Sequence, residues 1–208
     1  MVGARDVRVR KREWARAEIL AAAWRLVRSD GIAALSMRDL AAEVGMRAPS
    51  LYNYFPSKNH LLDAMYAQGM QQMDELVRNS PRGRNPRETL RNRARAFVAG
   101  AVQDPFRFQL LFERPIPGFV PSPESLAVGL TRMKETSEMA VAAGLRGQRE
   151  LDLFMAITRG LVAMQIANEP GGDRWVSLVD EGVDILIAHY TATDQRRRTR
   201  RQRADGAD

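Results

Sequence analysis

Residues 36–58 read Ser-Met-Arg-Asp-Leu-Ala-Ala-Glu-Val-Gly-Met-Arg-Ala-Pro-Ser-Leu-Tyr-Asn-Tyr-Phe-Pro-Ser-Lys. Their spacing predicts a short helix, a glycine turn, a second short helix and the start of a third. Ser36 stands where an N-cap belongs, with the acid Asp39 three residues on, in the manner of a capping box. Leu40, Ala41 and Val44 form a one-sided apolar stripe. Gly45 follows at the position where a left-handed residue ends a helix with least steric cost. Pro49 fits the first turn of the next helix, where its missing N–H has no partner to lose. Leu51 and Phe55, four apart, point one way and read as core, which leaves Arg47, Ser50, Asn53 and Tyr54 on the other face. Two helices across a tight turn, the second with a polar and aromatic outer face, are what a helix-turn-helix reader of DNA requires.

Working outward, Ile19, Ala23, Leu26 and Val27 predict a first helix over about Glu13 to Ser29, ended by Asp30-Gly31. Ser57 caps a helix that Leu61, Leu62, Met65, Tyr66, Met70 and Met73 carry to about Asn79, with His60 in a surface or capping role. Asn85-Pro86 opens the next, whose stripe is Leu90, Ala94, Phe97, Val98 and Ala101. Arg87, Arg91, Arg93 and Arg95 on its outer face read as a solvated face beside acidic neighbours. Asp104-Pro105 starts a short, very apolar helix with Phe106, Phe108, Leu110, Leu111 and Phe112. The prolines between Arg114 and Pro121 exclude its continuation. Ser122-Pro123-Glu124 begins another helix, through Leu126, Leu130 and Met133 to Gly144.

Two last helices are predicted over 148–168 and 173–192. Each is apolar around more than one narrow stripe, so each needs burial on two sides. An antiparallel pair of this kind predicts an isologous four-helix dimer interface. Leu161, Gln165, Val179, Val183, Leu186 and Tyr190 are its candidate contacts.

Composition narrows the function. The chain has 208 residues, 45% of them hydrophobic, enough for one or two cores. It contains no cysteine, which excludes a disulfide scaffold and a thiolate metal site. His60 and His189 lie on different helices, so no metal-spaced histidine pair and no Ser/His/Asp set is legible. No strand pattern accompanies a glycine-rich phosphate loop. The reading is therefore not an enzyme, with no cofactor and no metal. No apolar run suits a secretory signal or a membrane span, so a cytoplasmic location without a membrane partner is expected.

The formal net charge is +7. Residues 1–12 hold five basic side chains against Asp6, and residues 193–208 hold six arginines against three aspartates, which accounts for the whole excess. Both ends read as basic disordered segments on a neutral body. For the first, the functional reading is an arm along DNA phosphates or in the minor groove.

Leu51-Tyr52-Asn53-Tyr54-Phe55-Pro56-Ser57-Lys58, after Met37-Arg38-Asp39-Leu40-Ala41 and Gly45, resembles the TetR family of bacterial transcriptional regulators, over residues 13–73. The resemblance implies that Tyr52, Lys58 and Ser36 contact the phosphate backbone. It implies also that Arg38, Arg47, Ala48, Pro49, Ser50, Asn53 and Tyr54 face the major groove. Arginine pairs naturally with guanine and asparagine with adenine, which favours Arg38 and Asn53 for base edges, with Arg47 divided between base and phosphate. Tyr54 suits a thymine methyl or a phosphate.

The expected fold is all-α. A basic arm (1–12) precedes a three-helix DNA-binding domain (13–73, helix-turn-helix 36–55). A helical ligand-binding and dimerisation domain (74–192) and a basic tail (193–208) follow. Phe97, Phe106, Phe108, Phe112, Met133 and Phe154 are candidates to line a ligand cavity, and the plainer reading of each is packed core. The resemblance implies a homodimer on double-stranded DNA with a near-palindromic operator, a repressor released by a small-molecule effector. The alternative is a ligand-independent DNA-binding regulator or architectural protein of the same fold.

Overall fold

The computed structural model describes residues 4–205, and every regular element among them is helical. The helices are α1 (Ala4–Asp30), α2 (Met37–Glu43), α3 (Ala48–Tyr52), α4 (Lys58–Arg78), α5 (Pro86–Gln103), α6 (Pro105–Phe112), α7 (Pro123–Ala143), α8 (Gln148–Asn168) and α9 (Val179–Asp205), with a 3-10 turn at Val176–Leu178. Local chemistry sets most boundaries. The Asn85 side chain accepts from the Glu88 amide at 3.0 Å with Pro86 behind it, which starts α5. Among the described residues no helix is long and apolar enough to cross a membrane.

Both basic ends depart from the expected disorder. α1 begins at Ala4 and α9 runs to Asp205. Arginine, glutamine and alanine favour helix, and neither proline nor glycine interrupts 4–12 or 193–205. Each stretch also prolongs a helix already nucleated by packed residues, so the costly first turn is avoided. Residues 1–3 and 206–208 of the expected arm and tail lie outside the described residues.

The chain gathers into two compact units, and their division differs from the expected one. The first takes residues up to Gln71 together with Phe106–Val128; the second takes Gln72–Pro105 and the residues from Gly129 onward. Residues 106–128 thus belong with the helix-turn-helix. In that first unit Leu110, Leu111 and Phe119 complete a hydrophobic core with Ile19, Trp24, Leu40, Leu51, Phe55, Leu61, Leu62 and Met65. Burying each such large apolar side chain stabilises by about 1.5–3 kcal/mol, a strong reason for an apolar eight-residue helix to dock there. Gly69 permits close approach, since a Cβ on it would lie 3.2 Å from Leu111 Cδ2. Trp24 donates its indole N–H to Gln68 at 2.8 Å, and the Arg107 guanidinium lies over the Trp24 ring. The Asp63 carboxylate accepts from the Ser122 amide (2.7 Å), the Ser122 hydroxyl (3.0 Å) and the Ser125 hydroxyl (2.9 Å), which ties α4 to the start of α7.

In the second unit α5, α8 and α9 pack pairwise around Leu90, Phe97, Val98, Phe154, Val162, Val183 and Ile187. The α5 arginines meet α9 as an antiparallel ladder: Arg95 pairs with Asp180, Arg91 with Asp184 at 2.9 Å, and Arg87 donates to Thr191 at 3.2 Å. The hydrogen-bonded, charged Asp180 side chain holds the Arg95 guanidinium above its ordinary pKa. These are largely exposed pairs, so the ladder orients α5 on α9 more than it stabilises them.

Two expectations about this part of the chain need correction. Gln165, Val179, Val183 and Leu186 have almost no surface to give a partner, because they are buried in the chain's own unit. Gln165, 2% exposed, donates to the Glu169 carbonyl and accepts from the Trp175 and Val176 amides, which pins the α8–α9 connection. Leu161 and Tyr190 are half-buried. The cavity candidates do not gather in one unit either. Phe106 and Phe112 pack against the first unit's core, with Phe108 buried and its ring 5.4 Å from that of Phe112. Phe97 and Phe154 are buried in the second unit, whereas Met133 is 40% exposed on α7.

Candidate nucleic-acid interface

The interface is assembled from local signals first. The Ser36 hydroxyl accepts from the Asp39 amide at 3.1 Å and donates to the Asp39 carboxylate at 2.5 Å, a reciprocal cap that starts α2. That hydrogen bond, more than the nearby Arg38 charge, holds the exposed Asp39 carboxyl below its ordinary pKa. α2 ends in a Schellman turn: Gly45 donates to Ala42 at 3.1 Å, Met46 donates to Ala41 at 2.8 Å, and Gly45 has φ +66°. α3 then starts from Arg47 in extended backbone, with Pro49 in its first turn.

Exposure divides the candidate residues. The Arg38 side chain is 91% exposed, lightly paired with Asp39 at 3.5 Å, and free to extend to a base edge. Arg47, Pro49, Ser50, Tyr52 and Asn53 are exposed on and around α3. Ala48 and Tyr54 are half-buried against the core, so each offers only part of its surface. Leu51 and Phe55 are fully buried, as their spacing predicts. Ser36 is half-buried at its cap, and Lys58 is half-buried as the first residue of α4. Beside Lys58, the Ser57 hydroxyl accepts from the His60 amide at 3.3 Å and lies 2.8 Å from His60 Nδ1, which gives that histidine a capping partner. The face thus carries exposed hydrogen-bonding groups of the kinds that read base edges and phosphates.

Two contributors are not legible in the sequence. Arg12 donates to the Asn53 carbonyl at 3.2 Å, and Arg16 donates to the Tyr54 carbonyl while its guanidinium lies 4.3 Å from the centre of the Phe55 ring. Their only sequence signal is a pair of arginines four apart, which by itself indicates a shared helix face and no partner.

A capped short helix, a Schellman turn and a second short helix with an exposed polar face define a helix-turn-helix protein. A family model for bacterial regulatory proteins of the tetR family matches residues 19–65. Residues 19–65 thus carry a DNA-binding segment of the TetR type. The chain is 31% identical over 137 residues to the HTH-type transcriptional regulator Rv1816 of Mycobacterium tuberculosis, an alignment that takes in 64% of this chain and 58% of that protein. It is 28% identical over 189 residues, 83% of this chain and 93% of the relative, to the HTH-type nicotine-responsive transcriptional repressor HdnoR of Paenarthrobacter nicotinovorans. The crystal structure of SCO4313 shares its fold, with a TM-score of 0.73 and 24% identity over 86% of this chain and 98% of that one.

Proposed function

We propose that the chain is a dimeric, sequence-specific DNA-binding repressor of transcription that a small molecule releases from a near-palindromic operator. The observation that carries this reading is the α3 face, where Ser50, Tyr52 and Asn53 are exposed while Leu51 and Phe55 behind them are fully buried. In this reading Tyr52 and Lys58 hold phosphates, Arg38 and Asn53 read base edges, and Arg47 serves either. The first unit binds DNA, and the second dimerises and takes the effector.

One reader helix makes too few contacts for useful specificity, so two must act about one DNA turn apart. A face of the second unit suits that role. Leu153, Ile157, Gly160 and Met164 recur at helical spacing along α8, and Leu178, Gly182 and Ile185 do so along α9 and the turn before it. Ile185 is 61% exposed. The effector part of the proposal draws on the relative named as nicotine-responsive and on the buried aromatics Phe97 and Phe154. An effector acts by binding the DNA-incompetent state more tightly, and DNA must weaken its binding by the same factor.

The test begins with selection of bound duplexes from fragmented bacterial DNA, followed by release assays with small amphipathic molecules. Tyr52→Ala and Lys58→Ala are each expected to weaken the selected duplex, and Lys58→Ala, which removes a charge, to lower the slope of log affinity against log salt by ~0.9. Asn53→Ala is expected to relax preference at one base pair, a loss of ~1–3 kcal/mol of discrimination there. Unchanged affinity in all three variants rules out α3 as the reader. Binding that no effector weakens leaves the ligand-independent regulator.

A further inference from the structure

α3 is only five residues long, and Leu51 is its one fully buried side chain. So short a helix has little packing of its own to fix its tilt, and the carbonyls at its C-terminal end lack helical partners. The Asn53 and Tyr54 carbonyls at that end accept from Arg12 and Arg16, which lie one turn apart on α1. The Arg16 guanidinium is constrained twice. Its N–H group is bonded to Tyr54, and its Cζ lies 4.3 Å from the centre of the buried Phe55 ring. Arg12 is exposed and bonds at 3.2 Å, so it is the lesser partner. Positive charge at a helix C-terminus is also favoured by the backbone dipoles.

We propose that Arg16, assisted by Arg12, is a positioning residue for DNA recognition, through which α1 sets the angle at which α3 is presented. The proposal rests on the reading of α3 as the DNA reader. Hydrogen bonds to base edges tolerate little angular error, whereas attraction to phosphates tolerates much. Losing the brace therefore reduces sequence preference more than general affinity. A phosphate-binding arginine behaves in the opposite way, weakening all sequences alike and reducing the salt slope.

The experiment uses the full chain and two duplexes: one enriched from a random-sequence pool by the wild-type protein, and a shuffled duplex of equal length and composition. Arg16→Gln is expected to weaken the enriched duplex about tenfold, the scale of one lost charge-assisted hydrogen bond. Binding to the shuffled duplex and the salt slope are expected to stay as in the wild type. Arg16→Lys keeps the charge but not the flat, forked guanidinium, so it recovers only part of the preference. It gives the same comparison if the glutamine variant melts below the assay temperature. Equal losses on both duplexes with a shallower salt slope overturn the proposal, and so does unchanged affinity on both. A wild-type protein that enriches no sequence refutes the reader assignment of α3 itself, a result separable from any effect of Arg16.

Discussion

Gly45 turns the chain between α2 and α3 with φ +66°, and a Cβ built on it meets nothing within 4 Å. The cost of replacing it is therefore confined to the backbone. Gly45→Ala is expected to destabilise the first unit by roughly 1–2 kcal/mol, the penalty of a left-handed conformation for an L-residue with a side chain. Urea unfolding measures it as a lower midpoint at unchanged slope. At this scale the sequence was highly legible where the determinant is local. Ser36, Gly45, Pro49, Ser57 and Asn85 act on backbone groups a few residues away, so their chemistry can be read in place. Arg16 could not be read this way. Its partners Tyr54 and Phe55 lie 38 and 39 positions along the chain, and the choice among many carbonyls is made only by packing. Gln165 misleads for a related reason. A glutamine on an apolar helix reads as an interface group, yet its amide is consumed by three backbone groups of its own connection.

Among elements, α6 and the start of α7 carry the main surprise. Their apolarity was visible in Phe106, Leu110 and Leu111, but a stripe does not say which core it fills. Leu110, Leu111 and Phe119 complete the helix-turn-helix core, so the second half of the chain contributes directly to the stability of the first unit. The Asp63 carboxylate adds a polar tie, accepting three hydrogen bonds from Ser122 and Ser125 at the N-terminus of α7. Asp63→Ala leaves the half-buried Ser122 amide and two hydroxyls to seek other partners, and removes a negative charge from a helix N-terminus. A loss of about 1–3 kcal/mol is expected in chemical unfolding of the full chain, the penalty for unmaking part-buried hydrogen bonds. Asp63→Asn, which keeps an acceptor oxygen, is expected to retain part of it. Equal stability of Asp63→Ala and wild type shows that the apolar contacts alone seat this segment. The basic ends give the complementary lesson. Their charge was legible, but disorder did not follow from it, because α1 and α9 supply nuclei that arginine-rich sequence readily extends.

For the molecule as a whole, the apolar excess of α8 and α9 was legible, but which stripe serves which purpose was not. Two apolar stripes on one helix are equivalent in sequence, and only tertiary packing assigns one to the interior. Here Leu151, Phe154, Val162, Val183 and Ile187 go inward, leaving Leu153, Met164, Leu178 and Ile185 at 38%, 39%, 40% and 61% exposure. These four lie on two helices and the turn between them, with the exposed Gly160 along the same face of α8. Ile185→Arg tests whether a second copy covers them. The substitution leaves the core untouched, so the thermal midpoint of the isolated chain should move little. A charge placed in the centre of an apolar isologous interface is met by its own copy across the two-fold axis, which opposes association twice over. Sedimentation at micromolar concentration is expected to give a monomer where the wild type gives a dimer. Affinity for the enriched duplex is expected to fall about a hundredfold or more, because the second reader then binds independently instead of at the high effective concentration set by its tethered partner. Affinity for a half-site should be unchanged, since α3 and its brace remain intact. If Ile185→Arg stays dimeric, the dimer is built on another face; if it becomes monomeric yet keeps full affinity for the whole site, one reader suffices and the two-fold operator is wrong.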